Sequence, residues 1–247
     1  MNKAGNLALV TNRNEGTVSV FTIANKTFTP AGKVKLGEAN SGPSSVAFTP
    51  DGKSAVVTRD GDSKVTMLGI DGTNVKPTGR DLYGGLKPYG LGISPRGGWT
   101  VFSNAGMGNG DADTTSLIDL KANPPRVIDT IAAGQTPESL TVAPDGKHVV
   151  VTVMNGSNKP PGSPFLSDHG LALVYAVENG KFHKVTEAKV GRWCQGAAWN
   201  TASNTLLVQC MVEQEIMLFH FEGKTLKPAG AIKVSGGPPG IATTPPK

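Results

Sequence analysis

Only four histidines and two cysteines occur in 247 residues, so proton transfer and nucleophilic attack have few candidate carriers. His148, His183 and His220 stand at strand or turn positions where a histidine is ordinarily structural, whereas His169 follows Asp168 at the end of a long loop. A Ser-His-Asp arrangement needs a nucleophile within reach of its histidine. The nearby Ser163 and Ser167 are plain loop serines, and no Gly-x-Ser-x-Gly elbow, His-Glu-x-x-His pair or Walker loop occurs. Carboxylate chemistry remains. Glu138 could serve as a general base if burial raised its pKa, with Arg59 or Arg192 holding a carboxylate or phosphate. Glu138, His169, Arg192 and Arg59 are thus the candidate hydrolytic set.

The most individual segment is Arg192-Trp193-Cys194-Gln195, which offers a cation, an aromatic platform, a thiol and an amide in consecutive positions. Counting back from the Thr201–Asn204 turn sets Cys210 opposite Gln195, one residue out of register with Cys194. A disulfide with a slight register shift, two buried free thiols, and a metal-binding pair are the alternatives. Two loops are long. Residues 154–169 exceed the roughly 12–15 residues of ordinary connections, which suits either a lid or a mobile insertion. Residues 104–113 carry Asp111 and Asp113 near glycines but lack the six to eight oxygens calcium requires, so no metal is expected.

These residues are positioned by a repeat. Gly42-Pro43-Ser44-Ser45-Val46-Ala47-Phe48-Thr49-Pro50-Asp51-Gly52-Lys53 recurs from Lys87-Pro88-Tyr89, from Thr136-Pro137-Glu138, and in degenerate form from Trp193-Cys194-Gln195 and Gly237-Pro238-Pro239. The copies are spaced by about 45 to 57 residues, the range of propeller blades. Each is followed by three further short segments, of which Thr17–Phe21, Lys64–Leu68 and Leu171–Tyr175 show the clearest apolar alternation. Period-two patterning between Gly, Asn, Asp and Pro clusters means antiparallel strands. The expected fold is an all-β propeller of four-stranded blades, with five repeats over 1–247. Blades are expected at about 1–37 plus 238–247, 38–84, 85–134, 135–191 and 192–237. The chain begins one strand late, so the C-terminal strand is expected to join the first blade and close the ring; the alternative is a fragment of a seven-bladed propeller.

The Gly-x-x-Pro…Pro-Asp-Gly-Lys strand, followed by Leu-Ala-Leu-Val-Thr-Asn and Thr-Val-Ser-Val, resembles the YVTN-repeat propellers within the wider lactonase-like group. That resemblance implies seven blades, frequent export to the periplasm or cell surface, and in lactonases a histidine directly after the leading proline. Here those positions read Ser44, Tyr89, Glu138, Gln195 and Pro239.

If the inner strands run alike, these five residues ring the channel, and the loops after the second strands share their face. Arg13, Tyr89, Glu138, Asn155, Arg192, Trp193 and Gln195 are therefore the expected binding residues, whereas the Pro-Asp-Gly turns lie at the other end as turn chemistry.

Composition narrows the class. Hydrophobic residues at 38% support a core, and 24 basic against 19 acidic residues leave +5, spread without the basic and aromatic clustering of a nucleic-acid surface. No apolar run approaches the roughly 18 residues of a membrane span, and Met1–Asn12 is no signal peptide. Location is expected to be periplasmic or secreted by resemblance, with the cytoplasm as the alternative. With no catalytic set marked, the expected function is a non-enzymatic scaffold presenting a small molecule or protein partner, without a cofactor. A lactonase-type hydrolase is the first alternative; a redox-associated propeller serving a haem or quinone partner is the second, since Cys-x-x-Cys-His is missing.

Overall fold

A computed structural model describes residues 1–243. The first sheet holds β1 (Leu7–Asn12), β2 (Thr17–Ala24) and β3 (Thr27–Lys35). The second holds β4 (Pro43–Phe48), β5 (Ser54–Arg59), β6 (Lys64–Asp71) and β7 (Asn74–Leu82). The third holds β8 (Pro88–Ile93), β9 (Trp99–Asn104), β10 (Asp113–Asp119) and β11 (Arg126–Gly134). The fourth holds β12 (Pro137–Val142), β13 (His148–Val153), β14 (Gly170–Glu178) and β15 (Lys181–Val190). The fifth holds β16 (Gly196–Trp199), β17 (Thr205–Cys210), β18 (Glu215–Phe221) and β19 (Leu226–Lys233). Every pairing is between sequence neighbours and antiparallel, the arrangement of propeller blades.

The blades stack face to face, which explains why the second strands carry consecutive apolar residues at their centres. In β13, Val149, Val151 and Val153 pack toward blade 3 with Val101 and Leu117, while Val150 packs toward blade 5 with Trp199 and Leu206. Both faces of such a strand are covered, and period two assigns alternate residues to different interfaces. The same logic joins blades 1 and 2 through Val18, Val20, Val57 and Leu68, and blades 2 and 3 through Val56, Val65, Phe102 and Ile118. Outer strands such as β3 are largely exposed and rich in Lys and Thr.

The C-terminal segment differs from the closing strand expected over 238–247. The first sheet has three strands among the described residues, 238–243 carry no strand, and residues 244–247 lie outside the described residues. Instead Ile241 lies against blade 5, its Cγ2 3.2 Å from where a Cβ on Gly196 would stand. In blade 3 the corresponding Gly90 faces Glu138 O and Ser139 of the next inner strand. The segment therefore occupies the side of blade 5 on which a neighbouring inner strand sits elsewhere. Glycine at 196 leaves space for both Ile241 and the Gln209 amide, whose Nε2 would stand 2.9 Å from a Cβ there.

Candidate active site at the channel mouth

The inner strands β4, β8 and β12 share a local construction that begins with a left-handed residue. Gly42, Lys87 and Thr136 have φ of 63°, 55° and 56°, and Thr136 is β-branched, for which this conformation is costly. A proline follows in each case. The register then shifts: Pro43 pairs with Arg59 but Ser45 with Thr58, and Pro137 pairs with Val153 but Ser139 with Thr152. A corresponding shift lies between Pro88 and Leu91 in β8. Each shift inserts one extra residue, a β-bulge, which re-aims side chains. Ser44, Tyr89 and Glu138 directly follow these prolines, at the bulges.

A belt of hydroxyls holds the bulges. Thr11 Oγ1 donates to Ser44 O at 3.2 Å, Thr58 Oγ1 to Tyr89 O at 2.7 Å, and Ser103 Oγ to Glu138 O at 2.8 Å. Each donor lies at the end of the preceding blade's second strand. Gly90 permits the last of these approaches, because a Cβ there would stand 2.6 Å from Glu138 O and 2.9 Å from Ser103 Oγ.

Glu138 is the centre of the resulting site. Burial pushes its carboxyl above the usual range, partly opposed by a hydrogen bond from Gln195 Nε2 to Oε1 at 2.7 Å. The Tyr89 phenol is raised first by burial, then by the Glu138 charge, against the lowering effect of Arg13. Arg13 is itself held by a short contact with Asp60, whose hydrogen bond raises the guanidinium further. A guanidinium, a phenol, a carboxylate and an amide from four blades are thus linked in sequence, Arg13 to Tyr89, Tyr89 to Glu138 and Glu138 to Gln195. Such a set can take a proton from water and donate hydrogen bonds to a developing oxyanion.

Other residues expected at a site are engaged elsewhere. Arg59 is buried in blade 2, where it contacts Asp62, Asp81 and Thr66 Oγ1. Arg192 binds Glu213, its Nε 3.1 Å from Oε1. His169 Nδ1 pairs with Asp168 at 2.5 Å, beside β14, and this bond lowers the exposed Asp168 carboxyl. No described hydrogen bond joins these three to Glu138, so the hydrolytic set expected from sequence does not assemble; only its carboxylate stands at the mouth. Asn155 braces the long loop, donating to Ser167 Oγ and His169 O, both at 3.2 Å. Trp193 is partly exposed and its amide donates to Ser157 Oγ at 3.0 Å. Of the expected binding residues, Arg13, Tyr89, Glu138 and Gln195 are brought together.

Sequence reasoning missed Asp60 as the partner of Arg13 and missed the hydroxyl belt. The belt did leave a signal, since Thr11, Thr58, Ser103 and Thr152 occupy one repeat position. Cys194 and Cys210 are joined, with Cα atoms 4.1 Å apart. Among the described residues no group of three or more His, Cys, Asp or Glu could hold a metal ion. A cleft of about 600 Å3 lined by Asn2, Asn6, Leu7, Lys53 and Asp71 lies at the opposite end, with none of the mouth residues.

The fold and these blades define the chain as a β-propeller protein. Neither a protein-family model nor a curated protein matches its sequence. Among solved structures it is similar to a protein of Bacteroides uniformis assigned as a 6-phosphogluconolactonase, at 20% identity and TM-score 0.78, over 95% of this chain and 70% of that one. A second such assigned protein, from Bacteroides fragilis, gives 19% identity and TM-score 0.74 over 94% and 71%. The periplasmic gluconolactonase of Pseudomonas aeruginosa gives 18% identity and TM-score 0.71 over 96% and 70%.

The expectation of a non-enzymatic scaffold is corrected by these neighbours, which are named as lactonases rather than as binding proteins. That expectation rested on a missing Ser-His-Asp set, and carboxylate-based hydrolysis needs none. Among the described residues no helix is long and apolar enough to cross a membrane.

Proposed function

We propose that the protein is a lactone hydrolase acting on a cyclic ester of a polyhydroxylated acid, with Glu138 as its general base. The observation that carries this reading is the half-buried Glu138 carboxylate, set on a bulge at the channel mouth, hydrogen-bonded by Gln195 and acting on the Tyr89 phenol, on which Arg13 acts in the opposite sense. The lactonase names of the structural neighbours and the resemblance to YVTN-repeat propellers support the substrate class.

The chemistry balances without a cofactor. Ionised Glu138 takes a proton from a water molecule as its oxygen attacks the ester carbonyl carbon. The tetrahedral oxyanion accepts hydrogen bonds from the Tyr89 hydroxyl or the Arg13 guanidinium. Collapse breaks the ring C–O bond, and protonated Glu138 returns its proton to the leaving alkoxide, releasing a hydroxy acid. Desolvation brings the carboxyl closer to the operating pH, where acid and base roles are both effective. The disulfide and the periplasmic neighbour support an exported location.

A pH-stat assay with δ-lactones of sugar acids, phosphorylated and unphosphorylated, tests the proposal. Turnover above the spontaneous rate that disappears in Glu138→Gln is expected. Equal rates with and without wild-type protein across the panel would overturn it.

A further inference from the structure

Blade 5 departs from the construction that presents Ser44, Tyr89 and Glu138. Trp193 has the same left-handed φ, 53°, as the residues before the three prolines, but Cys194 stands where they have proline. Its inner strand is correspondingly short, four residues beginning at Gly196. The hydroxyl support is also missing: Thr152 Oγ1 donates to Ser139 O at 3.2 Å, across its own sheet, rather than to the next blade. The backbone bonds that remain are long, 3.2 Å from Met211 N to Trp193 O and 3.5 Å from Val212 N to Arg192 O.

The covalent bond fills this gap. Val153 pairs with Pro137 in blade 4, and Cys210 is the residue of blade 5 at the position of Val153. Bonding Cys210 to Cys194 therefore recreates the Pro137–Val153 pairing. Gly196 pairs with Gln209, so Gln195 is left between the two as the bulged residue. Its Nε2 then reaches Glu138 Oε1 of the neighbouring blade at 2.7 Å.

We infer that the Cys194–Cys210 bond is a positioning clasp that replaces the leading proline and holds Gln195 against Glu138. Cys194 and Cys210 touch no reacting atom in this scheme; they act through Gln195. The functional consequence rests on the proposed role of Glu138 as base, but the clasp itself is testable without turnover.

The experiment follows protonation of Glu138 by NMR in protein carrying 13C at glutamate Cδ, with Glu138→Gln identifying the resonance. Removing the Gln195 donor takes away an interaction that favours the charged form, so Gln195→Ala is expected to titrate at higher pH than wild type. Cys194→Ala/Cys210→Ala is expected to shift upward by a similar amount. Cys194→Pro/Cys210→Val, which copies the Pro137–Val153 pair of blade 4, is expected to return the midpoint to the wild-type value. A double alanine variant that titrates like wild type would overturn the inference, as would a proline–valine variant that stays shifted or fails to fold. If the double alanine variant does not fold by circular dichroism, the proline–valine variant against wild type decides in the same way. A wild-type protein without lactone hydrolysis overturns the proposed function alone, because these titrations are read without substrate.

Discussion

Replacing Glu138 by glutamine separates the roles of this side chain in catalysis and in stability. The substitution keeps size and shape, leaves Glu138 O free to accept from Ser103, and lets the Gln195 amide turn to pair with its new partner. As base, Glu138 must be ionised, so wild-type kcat/KM is expected to rise as pH increases through its raised pKa. The variant loses that limb and about 10²–10⁴-fold in rate. Stability moves in the opposite sense. Because burial raises the folded-state pKa above the unfolded value, the stabilising contribution of this carboxyl is complete below the unfolded pKa and is lost as pH rises through the folded one. Once the pH exceeds the folded-state pKa the wild type carries the full cost, which converts at about 1.4 kcal/mol per pH unit of displacement. Urea melts of both proteins over the acid-to-neutral range, beside the NMR titration, provide the check. The gain in the variant should grow with pH, then level off at the value the titrated displacement requires. A stability difference that is flat with pH would refute the desolvation argument, and unchanged turnover would refute the assignment of the base.

Tyr89→Phe removes one donor to the oxyanion and should lower kcat/KM about tenfold, equivalent to roughly 1.4 kcal/mol, with little change in melting; an unchanged rate counts against the phenol. Ser103→Ala orphans both the Gly90 amide, which donates to Ser103 Oγ at 2.9 Å, and Glu138 O. It should cost about 1–3 kcal/mol in urea denaturation, and a midpoint equal to wild type would show the belt to be idle. Arg59→Met strands the Asp62 and Asp81 carboxylates and should cost on the order of 3–5 kcal/mol, while kcat of the folded fraction stays at the wild-type value; selective loss of kcat would return Arg59 to the site.

The repeat and the strand periodicity were legible in the sequence because they depend on local patterns; the sharing of alternate residues between blade interfaces emerged only from the stacking of the blades. The Pro-Asp-Gly turns behave as turn chemistry, with Asp145 Oδ1 accepting from Lys147 N at 2.7 Å. The bulges were not legible. An extra residue on one strand leaves apolar alternation intact further along, so counting from the turn put Cys210 opposite Gln195 rather than Cys194. The Arg13–Asp60 contact was hidden for another reason: its partners lie in loops of different blades and are brought together by ring geometry, 47 residues apart in sequence.

One repeat position links these observations. Asn12, Arg59, Asn104, Val153 and Cys210 each end a second strand, directly opposite the residue that leads into the inner strand where blade sheets have one. Asn12 Nδ2 bonds Thr17 Oγ1 at 3.0 Å and Ser19 Oγ at 2.8 Å; Asn104 Nδ2 bonds Thr114 Oγ1 at 2.9 Å and Ser116 Oγ at 3.1 Å. Arg59 Nη1 makes the equivalent bond to Thr66 Oγ1 at 3.0 Å. The position therefore braces second strand to third, which is why Arg59 serves the blade and not the channel. In blade 4 valine leaves the task to packing and the opposing proline. In blade 5 the opposing residue is not proline, and the brace becomes a covalent bond across to the inner strand. The blade whose bulge receives no hydroxyl from the preceding blade is also the one whose bulged side chain touches Glu138, so loss of bracing there reaches the proposed base directly.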